Sequence, residues 1–332
     1  MPNAGTLNFL EVCAGAGGLA LGLEHAGFTP VGLVENDAAS LETLRKNRPS
    51  WPLIQEDLKD FDPVQHPAVF DVDLLSAGTP RVKSTATINR RSDEDERDLV
   101  AAALYLVGAV KPRAVLIENV PGLVDNDEYS KVRGEIEDEL RHLGFRLFTA
   151  VLNACDFGVP QERRHGFFVA LREPCADAFS WPRPVDSAAP TVGEVLHRTM
   201  TARGWEHASA WASRAQRLAP TLVGGSDRRG GPDLGPTRAK KIWAEMGING
   251  GTVADEVPEA GAPWDLDGDV KNLPALTVSQ AALLQGFPAS WQIAGRKTRS
   301  YRQVGQAVPP PLAAAVGRCI AAALAASSPG GS

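Results

Sequence analysis

Short apolar runs alternate with longer, helix-length periodic stretches from Leu7 to about Arg172. In a pattern of this kind the apolar runs form strands of a parallel sheet, and the periodic stretches form the helices that cover it. The predicted strands are 7–12, 30–34, 70–76, 114–117, 145–152 and 166–171. The predicted helices are 18–26, 38–47, 99–110 and 129–143. We therefore expect an α/β domain with a doubly wound parallel sheet.

The composition changes near Pro174, and residues 182–268 are rich in Gly, Pro and Trp with little periodicity. This stretch predicts a smaller, irregular domain. Residues 311–325 are Ala-rich with proline at the start, which indicates a helix, and the last six residues, 327–332, predict a disordered tail. We expect the tryptophans of the irregular stretch to form a small hydrophobic core rather than to stack on bases: Trp205, Trp211 and Trp243.

The length of 332 residues, with 43% hydrophobic and 22% charged residues, allows one large domain and one smaller one. No run of about 18 apolar residues and no secretion signal is present, so we expect no membrane partner and a cytoplasmic location. The four cysteines are scattered without a CxxC pair. This spacing argues against a zinc site and against a disulfide framework, and we predict no metal.

The net charge of -6 does not by itself indicate a nucleic-acid partner, because phosphate-binding domains are usually basic. The basic residues are nevertheless clustered, and a local basic face is sufficient for DNA binding. The clusters lie at residues 90–91, 163–164, 228–229, 238–241 and 296–302.

Three glycines lie between the first predicted strand and the first predicted helix: Gly15, Gly17 and Gly18. Glycines at this point allow a tight turn and a close approach of the backbone to a ligand at the helix N-terminus. About 20 residues further on, Glu35 ends the second strand and can accept ribose hydroxyls. Asp57 follows the third strand region, where a carboxylate can bind an adenine amino group. The alternatives are that the glycines belong to an ordinary loop and that Asp57 is a solvated loop residue. Together, the glycine turn, Glu35 and Asp57 predict a nucleoside site.

The glycine turn and residues 19–28 resemble the opening motif of the DNA cytosine-C5 methyltransferase family, which binds S-adenosylmethionine there. Further resembling segments follow in order: Glu118-Asn119-Val120, 161–165, 276–278 with 284–288, and 305–311. The resemblance covers roughly residues 7–325. It implies a Rossmann-like S-adenosylmethionine methyltransferase fold with a smaller, irregular target recognition domain, and a role related to restriction-modification. The implied boundaries are 1–183 with 303–326 for the cofactor domain, 184–273 for target recognition and 274–302 for a connecting motif.

The resemblance also assigns site residues. Glu118 corresponds to the glutamate that contacts N3 and the amino group of a flipped cytosine, and Arg163 to an arginine that reaches the base and the active-site loop. The implied cofactor-binding residues are Cys13, Gly15, Gly17, Gly18, Glu35, Asn36, Asp57, Leu58, Gln306 and Val308. The implied partner is double-stranded DNA, and its candidate contacts, which solvated loops would also explain, are Arg91, Gln161, Arg228, Arg229, Arg238 and Lys240.

One position departs from the family pattern at the centre of the chemistry. The family carries Pro-Cys-Gln after the fourth strand, and its cysteine attacks C6 of cytosine so that C5 can accept a methyl group. This chain has Pro80-Arg81-Val82 there. A guanidinium stays protonated and cannot act as the nucleophile. We interpret Cys13 and Cys155 as packing residues rather than as replacements.

Three smaller departures accompany Arg81: Cys13 replaces a phenylalanine beside the adenine, His165 replaces the second arginine of its motif, and Gln306 replaces an asparagine. Three functions follow. The first is a DNA-binding, base-flipping protein that does not methylate, with Arg81 as a phosphate or carboxylate partner. The second is base excision, with Glu118 or an acidic residue of 93–96 activating water, in place of a merely solvated loop at 90–98. The third is ordinary methylation, with Arg81 an introduced change.

Overall fold

The structure is a computed structural model that describes residues 6–82, 91–224 and 232–326, and of residues 91–96 it describes the backbone only. The predicted tail at 327–332 lies outside the described residues. The chain divides into two compact units. Unit 1 comprises Met1–Leu152, Arg164–Arg183 and Leu312–Ser332, and unit 2 comprises Asn153–Arg163 and Pro184–Pro311.

Unit 1 is built on a seven-stranded sheet with the strand order β3-β2-β1-β4-β5-β7-β6. The strands are β1 (Asn8–Val12), β2 (Thr29–Val34), β3 (Leu53–Ile54), β4 (Leu74–Ala77), β5 (Ala114–Asn119), β6 (Arg146–Asn153) and β7 (Arg164–Leu171). The helices between them are α1 (Gly18–His25), α2 (Ala38–Asn47), α3 (Arg91–Val110), α4 (Pro121–Asp125) and α5 (Ser130–His142). The predicted doubly wound α/β fold is confirmed.

Strands β1 to β5 run parallel, with registers such as Val12 opposite both Val34 and Ala77. Their carboxyl ends therefore meet at one edge of the sheet. In open α/β sheets ligands bind at this edge, where the strand order reverses, and here the order reverses at β1 and β4. The glycine turn after β1 and the segment after β4 lie at this point.

The sequence pattern predicted a wholly parallel sheet, and this is wrong for one strand: β7 runs antiparallel to β5. The reason lies in the connection from β6 to β7, which spans residues 154–163. A parallel return needs a crossover of about a dozen residues or more, usually with a helix. The shorter connection instead brings β7 back between β5 and β6.

Helix α3 begins at Arg91, eight residues before the predicted start at Leu99. The prediction of a charged loop at 90–98 is therefore wrong for the backbone from Arg91 onward. Apolar periodicity begins only at Leu99, whereas the preceding Arg, Glu and Asp residues carry no such signal. Glu and Arg are nevertheless good helix formers, and a helix can begin with turns that contribute nothing to the core.

The core of unit 1 is continuous from the strands to the covering helices. It includes Leu10, Leu75, Val107, Ile117 and Ile136, each at most 1% exposed. Val82, which follows Arg81, belongs to the same cluster and is 1% exposed. The segment after β4 is therefore packed into the core at one of its residues.

Unit 2 contains α6 (Val192–Met200), α7 (Ala208–Arg214), α8 (Thr237–Glu245), α9 (Val278–Leu284) and α10 (Lys297–Gln306). A further helix, α11 (Pro310–Ala326), begins in unit 2 and continues into unit 1. The predicted tryptophan core is confirmed, since Trp205 is 3% exposed and Trp211 and Trp243 are 0% exposed. In the described part of the chain one helical run, Lys297–Ala326, is long and apolar enough to span a membrane, but 72% of its apolar window is buried within the protein.

Candidate functional site

The turn after β1 has the left-handed backbone that its glycines permit. Gly15 and Gly17 have φ of 53° and 80°, and Cys13 adopts φ of 57° despite its side chain. A Cβ added at Gly15 would meet nothing within 4 Å, so open space lies in front of the turn. Helix α1 begins directly at Gly18, after Gly17 at its N-cap. The turn thus presents an open, backbone-lined surface at the sheet edge.

Glu35 fixes this turn to the end of β2. Its two carboxylate oxygens accept hydrogen bonds from the backbone N–H groups of Gly15 and Asp37, both at 2.7 Å. The residue is 9% exposed, and burial raises the pKa of its carboxyl although these N–H donors oppose the rise. Each carboxylate oxygen has two lone pairs and so retains acceptor capacity for a ligand hydroxyl.

Asp57 and Asn36 lie beside each other at the same edge. Asn36 Nδ2 donates to Asp57 Oδ2 at 3.0 Å, and the backbone N–H of Lys59 donates to Asp57 Oδ1 at 3.0 Å. Asn36 is exposed, whereas Leu58 is 5% exposed and packs in the hydrophobic core. The predicted cofactor residues Asn36 and Asp57 are therefore adjacent, whereas Leu58 belongs to the core beneath them.

Cys13 is surrounded by carboxylates. Burial, together with the charges of Glu35, Asp57 and Glu11, raises the pKa of the Cys13 thiol to about 12. A thiol with this pKa is almost wholly protonated at neutral pH, and the thiolate is the nucleophilic form. The environment of Cys13 thus supports packing rather than covalent chemistry.

Glu11 is a buried carboxyl that the sequence analysis assigned no role. It lies within β1, is 1% exposed, and accepts a hydrogen bond from Ser76 Oγ of β4 at 3.3 Å. Its carboxyl also accepts a hydrogen bond from the backbone N–H of Ala20 in the first turn of α1. Burial raises the pKa of Glu11 well above its usual value, and the charge of Glu35 adds to the rise. Glu11 joins three elements beneath the glycine turn.

The Glu11→Gln variant is expected to gain stability relative to the wild type as the pH rises from 5 to 8. Because the folded pKa of Glu11 is raised, the wild-type carboxyl stabilises the fold fully below the unfolded pKa of about 4.3 and loses this contribution as the pH approaches the folded pKa. The slope is at most about 1.4 kcal/mol per pH unit. Urea unfolding of both proteins from pH 5 to pH 8 measures the difference between their free energies of unfolding. Glu42 is an exposed carboxylate that pairs with Lys46, and it provides the control: Glu42→Gln should show no such trend.

Asn119 holds the segment 78–82 to the end of β5. Its side-chain Nδ2 donates to Thr79 Oγ1 at 3.0 Å and to the Pro80 carbonyl at 3.1 Å, and its Oδ1 accepts the Val82 N–H at 3.0 Å. Asn119 is 2% exposed. Arg81 lies between Pro80 and Val82, which both hydrogen-bond to Asn119, and its own side chain is exposed. In the sequence, Asn119 was named only as a member of the Glu118-Asn119-Val120 motif, without a role of its own.

Glu118 and His165 form a short contact across β5 and β7. His165 Nδ1 lies 2.6 Å from Glu118 Oε1, and the two side chains are 4% and 13% exposed. The next residue, Gly166, lets β7 lie close to the segment after β5, since a Cβ there would lie 2.6 Å from the Val120 carbonyl oxygen. The residue at position 165, noted in the sequence only as a departure from the family pattern, is thus the direct partner of the predicted base-contacting glutamate.

Arg163 and Gln161 are both buried within unit 2. The Arg163 guanidinium donates to the carbonyls of Leu222 and Gly305 at 2.6 and 2.9 Å and is 3% exposed. Gln161 is 0% exposed, and its amide donates to Gln285 Oε1 at 2.7 Å. Gln161 therefore has no exposed surface for a DNA contact in this arrangement, and both residues hold segments of unit 2 together.

The remaining predicted residues are dispersed. Gln306 is exposed and Val308 is 4% exposed, both in unit 2. Arg238 is exposed on α8, while Lys240 is paired with Asp233 at 2.8 Å. Arg228, Arg229, and the side chains of Arg91 and of residues 93–96 lie outside the described residues. In the part of the chain that the structure describes, no group of three His, Cys, Asp or Glu side chains could hold a metal ion.

Solved structures that share this fold include two Dnmt2 proteins. A mutant of the Spodoptera frugiperda DNMT2 protein aligns over 95% of this chain and 99% of its own, with a TM-score of 0.64 and 15% identity. The S. pombe Dnmt2 methyltransferase aligns over 93% of this chain and 96% of its own, with a TM-score of 0.61 and 16% identity. At these identities the likeness shows the fold alone, the Rossmann-like α/β fold that these structures share.

Sequence comparison defines the family. The family model described as C-5 cytosine-specific DNA methylase matches residues 7–322. The chain is 44% identical over 323 residues to the type II methyltransferase M.NaeI of Lentzea aerocolonigenes, covering 96% of this chain and 76% of the relative. It is 38% identical over 317 residues to the type II methyltransferase M.NgoMIV of Neisseria gonorrhoeae, covering 95% and 97%. The chain belongs to the C-5 cytosine-specific DNA methylase family, whose members act on DNA and generally use S-adenosylmethionine.

Proposed function

We propose that this protein binds double-stranded DNA and S-adenosylmethionine and flips a base, but does not methylate it by the covalent route. The observation that carries the proposal is Arg81. It follows β4 in a segment that Asn119 holds at the sheet edge, where the family resemblance assigns the nucleophile. Loss of a covalent nucleophile costs on the order of a millionfold in turnover. The rest of the edge keeps the groups that binding requires.

The residues present fit the adenosine part of the proposed cofactor. Glu35 has lone pairs for ribose hydroxyls, Asp57 is an acceptor for an adenine amino group, and the space in front of Gly15 is open. The cofactor would supply the methyl group. We assign Cys13, Gly17, Gly18, Asn36 and Leu58 to the wall of the same site. On the family resemblance alone, we also assign Gln306 and Val308 to cofactor binding.

The Glu35→Gln variant should bind S-adenosylmethionine about tenfold more weakly, because an amide offers one oxygen where the carboxylate offers two and loses the charge. Isothermal titration calorimetry measures the affinity. Glu42→Gln is the same chemical change on the exposed face of α2 and should bind as the wild type does. Equal affinity for Glu35→Gln and the wild type would remove Glu35 from the site.

The short contact between Glu118 and His165 supports the proposed base pocket. With one Glu118 oxygen engaged by His165, the carboxylate has a fixed orientation and a second oxygen for the exocyclic amino group of a base. The same pair supports base excision as a second candidate function. A carboxylate fixed in this way can also act as a general base toward water.

We further propose that 184–273 is the target recognition domain and that Arg238 contacts DNA. Arg238 is exposed in the first turn of α8, whereas the charge of Lys240 is already engaged by Asp233. A cytoplasmic role alongside restriction-modification enzymes, as regulator or protective binder, fits the family of the two relatives.

The test incubates the purified protein with duplex DNA containing cytosine or 5-methylcytosine, with and without S-adenosylmethionine. Binding, methyl transfer and abasic-site formation are measured together. We expect binding without either product. Methyl transfer by the wild type would overturn the proposal and restore ordinary methylation, abasic sites would establish base excision, and absence of DNA binding would remove the proposed partner.

A further inference from the structure

Arg81 is a pre-organised cation. Asn119 hydrogen-bonds to Pro80 and Val82, the residues on either side of it, and Val82 is also buried in the core. The backbone at position 81 is therefore fixed, while the side chain is exposed. Little conformational freedom of the backbone remains to be lost when this side chain binds a ligand.

The guanidinium has no carboxylate partner among the described residues. Other arginines of unit 1 do, for example Arg48 with Glu24 at 2.8 Å and Arg164 with Asp125 at 3.0 Å. An arginine is always charged and offers five N–H donors in a planar fork that matches phosphate and carboxylate oxygens. Among the described residues the charge at position 81 is thus unpaired, and its planar fork of donors suits an oxyanion.

An oxyanion at this edge can come from a DNA phosphate or from the carboxylate of S-adenosylmethionine. The order of the strands distinguishes these two sources. The proposed adenosine acceptors, Glu35 and Asp57, follow β2 and β3 on one side of β1. Arg81 follows β4, on the other side of β1, and is held by Asn119 of β5, the residue next to Glu118. Arg81 therefore lies on the side of the proposed base pocket, where the phosphates that flank a flipped nucleotide would lie.

We infer that Arg81 binds a backbone phosphate of DNA, so that this position holds the duplex electrostatically in a loop that no longer attacks the base. The inference rests on the proposed function, since it requires DNA at this edge. Phosphate contacts position a protein on DNA without reading its sequence. Arg81 should accordingly contribute the same affinity on every sequence.

The experiment measures binding to a mixed-sequence duplex of about 30 base pairs by fluorescence anisotropy at several salt concentrations. Arg81→Gln should bind about tenfold more weakly at low salt. Its plot of log affinity against log salt should be shallower by about 0.9, the value for one lost phosphate contact. Arg81→Lys should keep the wild-type slope, because it keeps the charge.

Arg45→Gln provides the matched control. Arg45 is exposed in the last turn of α2, a helix that begins at the carboxyl edge of the sheet and runs away from it. The variant removes the same charge from unit 1 and should leave the slope unchanged. Thermal unfolding of Arg81→Gln should match that of the wild type, since an exposed side chain contributes little to stability.

Three outcomes would overturn the inference while the proposed function stands. They are an unchanged slope for Arg81→Gln, a loss of S-adenosylmethionine affinity with unchanged DNA binding, and a lower unfolding temperature with unchanged DNA binding. The second would assign Arg81 to the carboxylate of the cofactor, and the third to an ion pair within the chain. If the wild type itself fails to bind the duplex, the proposed function fails and the inference fails with it.

Discussion

Arg81→Cys is expected to raise methyl transfer to cytosine-containing duplex DNA at least about a thousandfold above the wild type. The substitution places a thiol in a segment whose backbone Asn119 already holds on both sides of position 81. Glu118 stays oriented by His165, and the proposed cofactor acceptors are unaffected. The full gain of about a millionfold is not expected, because Val82, Lys83 and Ser84 also depart from the family loop.

Transfer of a labelled methyl group to DNA measures this gain. Arg81→Ser is the matched control, since it is as small as the cysteine variant but carries a hydroxyl without an adjacent base to activate it. It should remain as inactive as the wild type. If the cysteine and serine variants are equally inactive although both bind DNA and cofactor, position 81 is not the missing element, and the assignment of the loop to the nucleophile is incorrect.

Gly166→Ala is expected to destabilise unit 1 by about 1–3 kcal/mol, the range for overpacking a well-filled site. The added Cβ would lie 2.6 Å from the carbonyl oxygen of Val120 and 3.0 Å from Val124 Cγ2, so the backbone must move. Gly166 pairs with Asn119 across β5 and β7. The movement would therefore also displace His165 from Glu118. Calorimetry measures the loss in the transition that includes the sheet.

Gly134→Ala is the control for this substitution. Gly134 lies within α5, where a Cβ would meet nothing within 4 Å, so the same change should be neutral or stabilise by up to about 1 kcal/mol. Hydrogen exchange at β5 and β7 should accelerate in Gly166→Ala only. Equal unfolding temperatures for the two variants would mean that the close approach at Gly166 is not required.

Much of unit 1 could be predicted from the sequence because its signals are local. The apolar runs gave strands close to β1, β2, β5 and β6, and the glycines at 15, 17 and 18 gave the turn between β1 and α1. Three features could not be predicted. The start of α3 lacks apolar periodicity, the direction of β7 depends on a short connection, and the irregular stretch of unit 2 has no regular pattern to follow.

The candidate site divides in the same way. The sequence by itself determined the family, the order of its motifs, the acidic residues after β2 and β3, and the departure at Arg81. Only the tertiary structure decided that His165 contacts Glu118, that Asn119 holds the backbone around Arg81, and that Arg163 and Gln161 are buried. These contacts join residues that are 37 to 142 positions apart in the chain. Local periodicity carries no information at that distance, whereas strand pairing in the sheet and packing within unit 2 decide which of these side chains meet.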